Sequence, residues 1–307
     1  MLDLTGRLAA TIDLSNPGDY EAAIELAAAR QTARTREGSI ARIPITGPIE
    51  PRASIWTLLF GGSAVDLIAA QLRAALDDPD TKAILLDIDS PGGSVFGIPE
   101  LAREIRAARG QKPILAVANA EAASAAYYLG SQADEFSITP SGQVGSIGVI
   151  YLHTDLTGMA EKEGVRFTIF RSQERKAEGN PYEELTPEAA ADIQAKVDAY
   201  DTMFVRDVAR GRGVSVETVR QNYGAGRMML AREAVRAGLV DREETIDEAL
   251  RRLASGGVAV RQAPAASEEL DTGPIEAVDP ATLRMRAARL VELMRPTPTG
   301  GQSWASP

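Results

Sequence analysis

The sequence predicts an α/β fold built on a mostly parallel sheet, and three observations carry that expectation. From Ser39 onward short β-branched runs alternate with amphipathic stretches, the pattern of βαβ units. The run Ala83-Ile84-Leu85-Leu86 is apolar without alternation, as in a strand covered on both faces. Apolar residues fill 44% and charged residues 25% of the 307 positions, which supplies a large core and excludes a wholly disordered or collagen-like chain.

Taken in order, the chain opens with one amphipathic stretch, residues 19–30, introduced by Asn16-Pro17-Gly18 and followed by a polar, Arg-bearing segment. Residues 1–37 therefore read as an arm before the main domain. Strands are expected at 40–45, 83–88 and 114–117, with helices at 63–76 and 99–108 between them. A helix from about Ala123, strands at 136–138, 148–152 and 165–170, and a long helix over 186–210 follow. That helix begins Thr186-Pro187-Glu188, a capping hydroxyl followed by proline at the first helical position. A helix at 231–237 stops at Gly238 as at a C-cap, and 246–253 forms the last one. Past Ser255 the composition shifts to Gly, Ala, Pro, Ser and Glu, so residues 38–254 are the expected domain. Residues 255–307 are expected to be a linker and disordered tail with a short basic amphipathic helix at 281–295.

Composition removes whole classes of chemistry. Cysteine is absent, which excludes disulfide scaffolds, iron–sulfur clusters and cysteine nucleophiles. His153 is the single histidine, so multi-histidine metal sites are excluded and any histidine-based triad would use it. With 33 basic and 43 acidic side chains the net charge is −10, against the basic stripe of a nucleic-acid partner. The N-terminus lacks a basic region followed by an apolar one, and no apolar run approaches 18 residues. The sequence thus points to a cytoplasmic protein with no membrane span.

Three segments carry candidate chemistry. Ser90-Pro91-Gly92-Gly93 follows the buried strand, where two glycines let the backbone turn sharply and expose N–H groups. Alone, such a segment is more often only a turn. Ser124 lies among alanines at the next strand-to-helix junction, where small neighbours admit other groups to its hydroxyl and the Ala125 N–H starts a helix. A helix-capping serine is the alternative. Gly145-Ser146-Ile147-Gly148 reads by itself as a Gly-rich turn into a strand.

Their order, followed by Lys176 in the polar loop Gln173-Glu174-Arg175-Lys176-Ala177-Glu178, resembles the S49 serine peptidases, over roughly residues 39–253. That family includes signal peptide peptidase A and the head-maturation proteases of tailed phages. The segment Gly226-Arg227-Met228-Met229-Leu230-Ala231, with Gly238-Leu239-Val240-Asp241, matches the part that closes the domain in this family. The resemblance implies a Clp/crotonase-like fold of repeated ββα units, a Ser-Lys dyad and no cofactor or metal. It makes Ser124 the nucleophile, Lys176 the general base 52 positions later, and Ser146 the group that orients the lysine. Gly93, with Gly92, and the Ala125 N–H would form the oxyanion hole. Many cellular members carry a Gly pair where Ala125-Ala126 stands and Asn where Asp89 stands.

A serine is too weakly acidic to attack unaided, and a lysine accepts a proton only when neutral, which needs burial or a nearby cation. Arg171 and Arg175 are the cations at hand. The segments Gly61-Gly62-Ser63 and Asn180-Pro181-Tyr182, and the tail, resemble the phage or prophage members more than the cellular ones. The implied substrates are proteins or peptides, and the implied partners are copies of the chain in a ring and a capsid, scaffold or portal protein, in the host cytoplasm or the prohead. The run Ile55-Trp56-Thr57-Leu58-Leu59-Phe60 is the expected subunit contact. Still open are a cytoplasmic signal-peptide-peptidase-like role, a Clp-like triad through His153, a crotonase-type acyl-CoA enzyme, and a catalytically silent assembly protein.

Overall fold

A computed structural model describes residues 36–54, 57 and 61–261. The expected helices at 19–30 and 281–295, the disordered tail and most of the apolar run at 55–60 lie outside these residues. The described chain forms two units, residues 36–148 with 201–261, and residues 149–200.

In the first unit β1 (Arg36–Glu37), β2 (Ile40–Thr46), β3 (Ile49–Glu50) and β4 (Ser63–Ala64) lead into helix α1 (Val65–Asp77). Strand β5 (Ala83–Ser90), α2 (Ile98–Ala108), β6 (Ile114–Ala123), α3 (Ala125–Gly130), β7 (Glu135–Ile138) and β8 (Gln143–Gly145) follow. The second unit holds α4 (Thr157–Lys162), a 3-10 turn (Glu174–Ala177) and the start of α5 (Pro187–Arg212). The chain then completes the first unit with α6 (Val216–Asn222), β9 (Met228–Leu230), α7 (Ala231–Ala237), β10 (Arg242–Glu243) and α8 (Ile246–Ala254).

The main sheet runs β1-β2-β5-β6-β7-β10, with β8 beside the far end of β6 and β9 beside β8. It is parallel except at its margins, β1 on β2 and β9 on β8. Both faces are covered, as the unbroken apolar run in β5 requires. Leu85, Leu115 and Val117 pack on Ala249, Leu250, Leu253 and Val258 from α8 and the segment after it. Helix α1 packs on β2 and α3 on β5 and β6, with α2 touching both helices. Each fully buried Ile or Leu contributes about 1.5–3 kcal/mol relative to exposure.

The ββα repeat is visible in the unit. A long strand of the main sheet is followed by a short extended piece in a second layer and then by a helix: β2, β3 and α1, then β5, Gly93 and α2. Gly93 forms a parallel bridge to Ile49 of β3, and β3 pairs with β4. Strand β6 supplies both pieces itself. Leu115–Ala118 pair with β7 and Glu121–Ala123 pair with β8. The handover falls at Ala120, at φ 130°, where the register against β5 also shifts. A β-bulge is the ordinary device for such a bend.

Three expectations need correction. No strand forms at 148–152 or at 165–170; the strand in that region is β8. Ile150 and Leu152 are 94% and 86% exposed, and Val165 and Phe167 are about half exposed. Alternating β-branched residues form a strand only where a neighbouring edge offers a ladder and packing. Nor does the packing stop at 254. Val258 joins the core, the Ala259 N–H donates to Glu135 at 3.0 Å, and the Arg261 N–H donates to Asp134 at 2.7 Å.

One part-buried ion pair fastens the end of α5 to the sheet. Arg212 donates to both carboxylate oxygens of Asp241, at 2.7 and 2.8 Å, and Asp241 also accepts the Phe136 N–H at 2.8 Å. Burial alone would raise the Asp241 carboxyl, but the hydrogen bonds and charge of Arg212 hold it below its ordinary value. Asp241→Asn leaves the guanidinium without its anion, though still bonded to Gly238 O, and is expected to cost about 1–3 kcal/mol, read as a fall in Tm. Because the folded-state pKa is depressed, this contribution is present above the ordinary value of 3.8 and is lost as the pH falls through and below it.

Candidate active site

Two neighbouring parallel strands, β6 and β8, end side by side with Ala123 paired to Gly145. The next residue of each is a serine in left-handed backbone: Ser124 at φ 51° and Ser146 at φ 53°. Conformations of that kind cost on the order of 1–3 kcal/mol in a residue other than glycine and persist only where surrounding structure holds them. The Ser124 N–H donates to Gly145 O at 2.9 Å, and its C=O accepts the Tyr128 N–H at 2.9 Å. The Ser146 N–H donates to Arg227 O at 3.0 Å, so the matched segment at 226–231 closes over this strand end. Gly145 must be glycine, because a Cβ there would lie 2.4 Å from Arg227 O.

Ser124 precedes α3 without capping it through its side chain, which leaves the half-buried hydroxyl available. Helix α3 is anchored by both tyrosines. The Tyr127 hydroxyl donates to Leu239 O at 2.9 Å, and the Tyr128 hydroxyl donates to Asp207 while its ring stacks on Phe204 at 4.5 Å. Burial, then the Asp207 carboxylate, push the Tyr128 phenol well up, so it stays a donor. Below the helix, Arg109 donates to Gln132 O, Ala133 O and Gly211 O at 2.8–2.9 Å.

The Pro-Gly-Gly turn lies against this junction. A Cβ on Gly92 would fall 2.7 Å from Ser124 Cβ and 2.9 Å from the Ala125 nitrogen. At φ 94° it is doubly restricted to glycine. The two glycines then differ. Gly92 is already spent as a donor, its N–H reaching Ser90 Oγ at 3.1 Å, and its C=O accepts the Ile49 N–H at 2.9 Å. In the bridge to Ile49 the bonds are made by Gly92 C=O and the Ser94 N–H, so the Gly93 N–H stands outside it. Across a trans peptide the Gly93 N–H points opposite to Gly92 C=O, away from β3. Ser90 and Gly145 stood in the candidate segments of the sequence, but only as members of their turns and without a role of their own. A serine directly before the Pro-Gly-Gly turn was the available signal for the first.

Lys176 belongs to the second unit, exposed on the 3-10 turn. Asn180 holds that loop, donating to Ala177 O at 2.7 Å and to Glu183 at 3.0 Å. Arg171 is paired with Glu183, and Arg175 lies 3.7 Å from Glu178, so both expected cations have carboxylate partners. His153 also lies in this unit, and neither of its ring nitrogens has a hydrogen-bond partner among the described residues. Among the described residues no carboxylate hydrogen-bonds the imidazole, the contact that orients it in a Ser-His-Asp triad.

The sequence model of peptidase family S49 matches residues 106–261, about half of the chain. The chain is 34% identical over 216 residues to the head-tail preconnector protein GP5 of Enterobacteria phage P21, covering 70% of this chain and 43% of that protein. It is 35% identical over 202 residues to the capsid assembly protease C of Escherichia phage lambda, covering 66% of this chain and 46% of that protein. The match thus spans less than half the length of either relative. With its family model matched from α2 to the last described residue, this chain belongs to peptidase family S49.

Proposed function

We propose that the chain is a serine endopeptidase of the Ser-Lys type that processes proteins during phage or prophage head assembly. The observation that carries the reading is the left-handed Ser124 at the end of β6, with Gly92 pressed against it and its hydroxyl uncommitted. In this scheme the neutral Lys176 amine takes the Ser124 proton as Oγ attacks a peptide carbonyl. The oxyanion is held by the N–H groups of Gly93 and Ala125, each worth roughly 2.7–4 kcal/mol. Lys176 then protonates the leaving amine, and water hydrolyses the acyl-enzyme by the same route. Gly92, with its N–H engaged, contributes close approach rather than a donor.

The phage relatives support the assembly role, since one is by name a capsid assembly protease and the other a head-tail preconnector protein. No helix among the described residues is long and apolar enough to cross a membrane. Self-association of the chain is supported by Ile150, Leu152 and Phe170, which are between 86% and 94% exposed. The test is to incubate the purified chain with an unfolded protein and, separately, with a fluorophosphonate. Fragments, and a label mapped to Ser124 by mass spectrometry, are expected. Intact substrate with no labelled serine would overturn the reading.

Ser146 has the supporting part. A neutral lysine must aim its one lone pair at Ser124, so something has to accept its N–H groups and fix a mobile four-carbon stem. Ser146 stands beside Ser124 at the end of the neighbouring strand. Ser146→Ala is expected to keep its fold and KM but to lose roughly tenfold to a hundredfold in kcat, less than a change of the base itself. Wild-type kcat in this variant would assign the orienting bond to another group.

A further inference from the structure

Ser90 ends β5 and is fully buried, yet the scheme above gives it no part. Its hydroxyl donates to Gly47 O at 2.6 Å and accepts the Gly92 N–H at 3.1 Å. Gly92 is thereby held at both ends, since its C=O accepts the Ile49 N–H at 2.9 Å. The anchors belong to one short stretch of chain, which binds the turn twice more: the Gly47 N–H donates to Asp89 O at 3.0 Å, and Ile49 O accepts the Ser94 N–H at 2.9 Å. A glycine at φ 94° has wide freedom unless its peptide groups are fixed. Fixing Gly92 on both sides sets the plane of the peptide it shares with Gly93, and hence the direction of the Gly93 N–H.

We propose that Ser90 is a positioning residue for the oxyanion hole: its hydroxyl bridges Gly47 to Gly92 and so aims the Gly93 N–H. The proposal rests on the reading of Ser124 as nucleophile. The bridge does two things at once. It removes the Gly92 N–H from the available donors, and it stops the flexible Pro-Gly-Gly turn from rotating the Gly93 N–H off target. Oxyanion donors act over a narrow range, about 2.7–3.1 Å from where the charge develops. Without the hydroxyl, the buried Gly92 N–H and the part-buried Gly47 C=O lose their partner, and the turn must shift to satisfy the first of them.

The experiment compares wild type with Ser90→Ala, which removes the hydroxyl, and with Ser90→Cys, which is slightly larger and replaces the hydroxyl by a weak donor and acceptor. Enzyme concentration is set by end-point labelling of Ser124 with a fluorophosphonate, so an unfolded fraction drops out. Measured are kcat and KM on a short peptide, and the inhibition constant of a peptide aldehyde whose adduct with Ser124 presents an oxyanion. Both variants are expected to keep KM within about twofold while kcat falls roughly tenfold to a hundredfold. Aldehyde binding should weaken by the same factor, a coupling that loss of stability alone would not produce. Wild-type kcat and aldehyde affinity in the labelled enzyme, or a rise in KM alone, would overturn the proposal. A wild-type enzyme that neither cleaves peptide nor takes the label would overturn the assignment of Ser124 instead.

Discussion

Ser124→Ala is expected to lower kcat on a peptide substrate by on the order of 10⁶-fold, the scale found when a serine nucleophile is removed from an otherwise complete site. The fold should survive the change. The Ser124 side chain makes no capping hydrogen bond, and the bonds that hold its position run through its backbone to Gly145 and Tyr128. Alanine already occupies both neighbouring positions, so the smaller side chain meets no new contact. The strain of φ 51° falls on serine and alanine alike, so the change adds little of its own. The variant should therefore melt within a few degrees of wild type while losing fluorophosphonate labelling. Residual turnover near the wild-type rate in the purified variant would place the nucleophile elsewhere.

Much of this was legible in the sequence because the first unit obeys local rules that agree with its tertiary packing. The unbroken apolar run of β5 was bound to be a doubly covered strand, and Gly238 and the Thr186-Pro187 pair marked helix ends where the structure has them. The strand pattern at 148–152 and 165–170 misled because β-branched alternation reports only a capacity for pairing. Whether an edge is available depends on residues far away in the chain. The Gly-Gly turn was legible as a sharp turn with exposed N–H groups, but the division of labour within it was not. That Gly92 spends its N–H on Ser90 while the Gly93 N–H stands outside the bridge to Ile49 follows from the path of β3, and no spacing rule reports it. The two cations near Lys176 were visible as charges, whereas their pairing with Glu183 and Glu178 depends on how the loop turns at Asn180.

That pairing sharpens what is expected of Lys176. With Arg171 and Arg175 each beside a carboxylate, repulsion from these cations is a poor source of a neutral amine. Burial by bound substrate or by a neighbouring copy of the chain is the remaining general means of favouring the uncharged form. Lys176→Ala is expected to lose several orders of magnitude in kcat, approaching the loss in Ser124→Ala, because nucleophile and base act as a unit and their effects do not add. The double variant should accordingly be scarcely worse than either single one. His153→Ala supplies the contrast: with both ring nitrogens unpartnered, its loss should leave kcat within about twofold of wild type. Rate constants for the three variants, measured on one short peptide across a pH series, decide the matter. Loss of activity in His153→Ala together with near-normal turnover in Lys176→Ala would transfer the role of base to the histidine and end the Ser-Lys assignment.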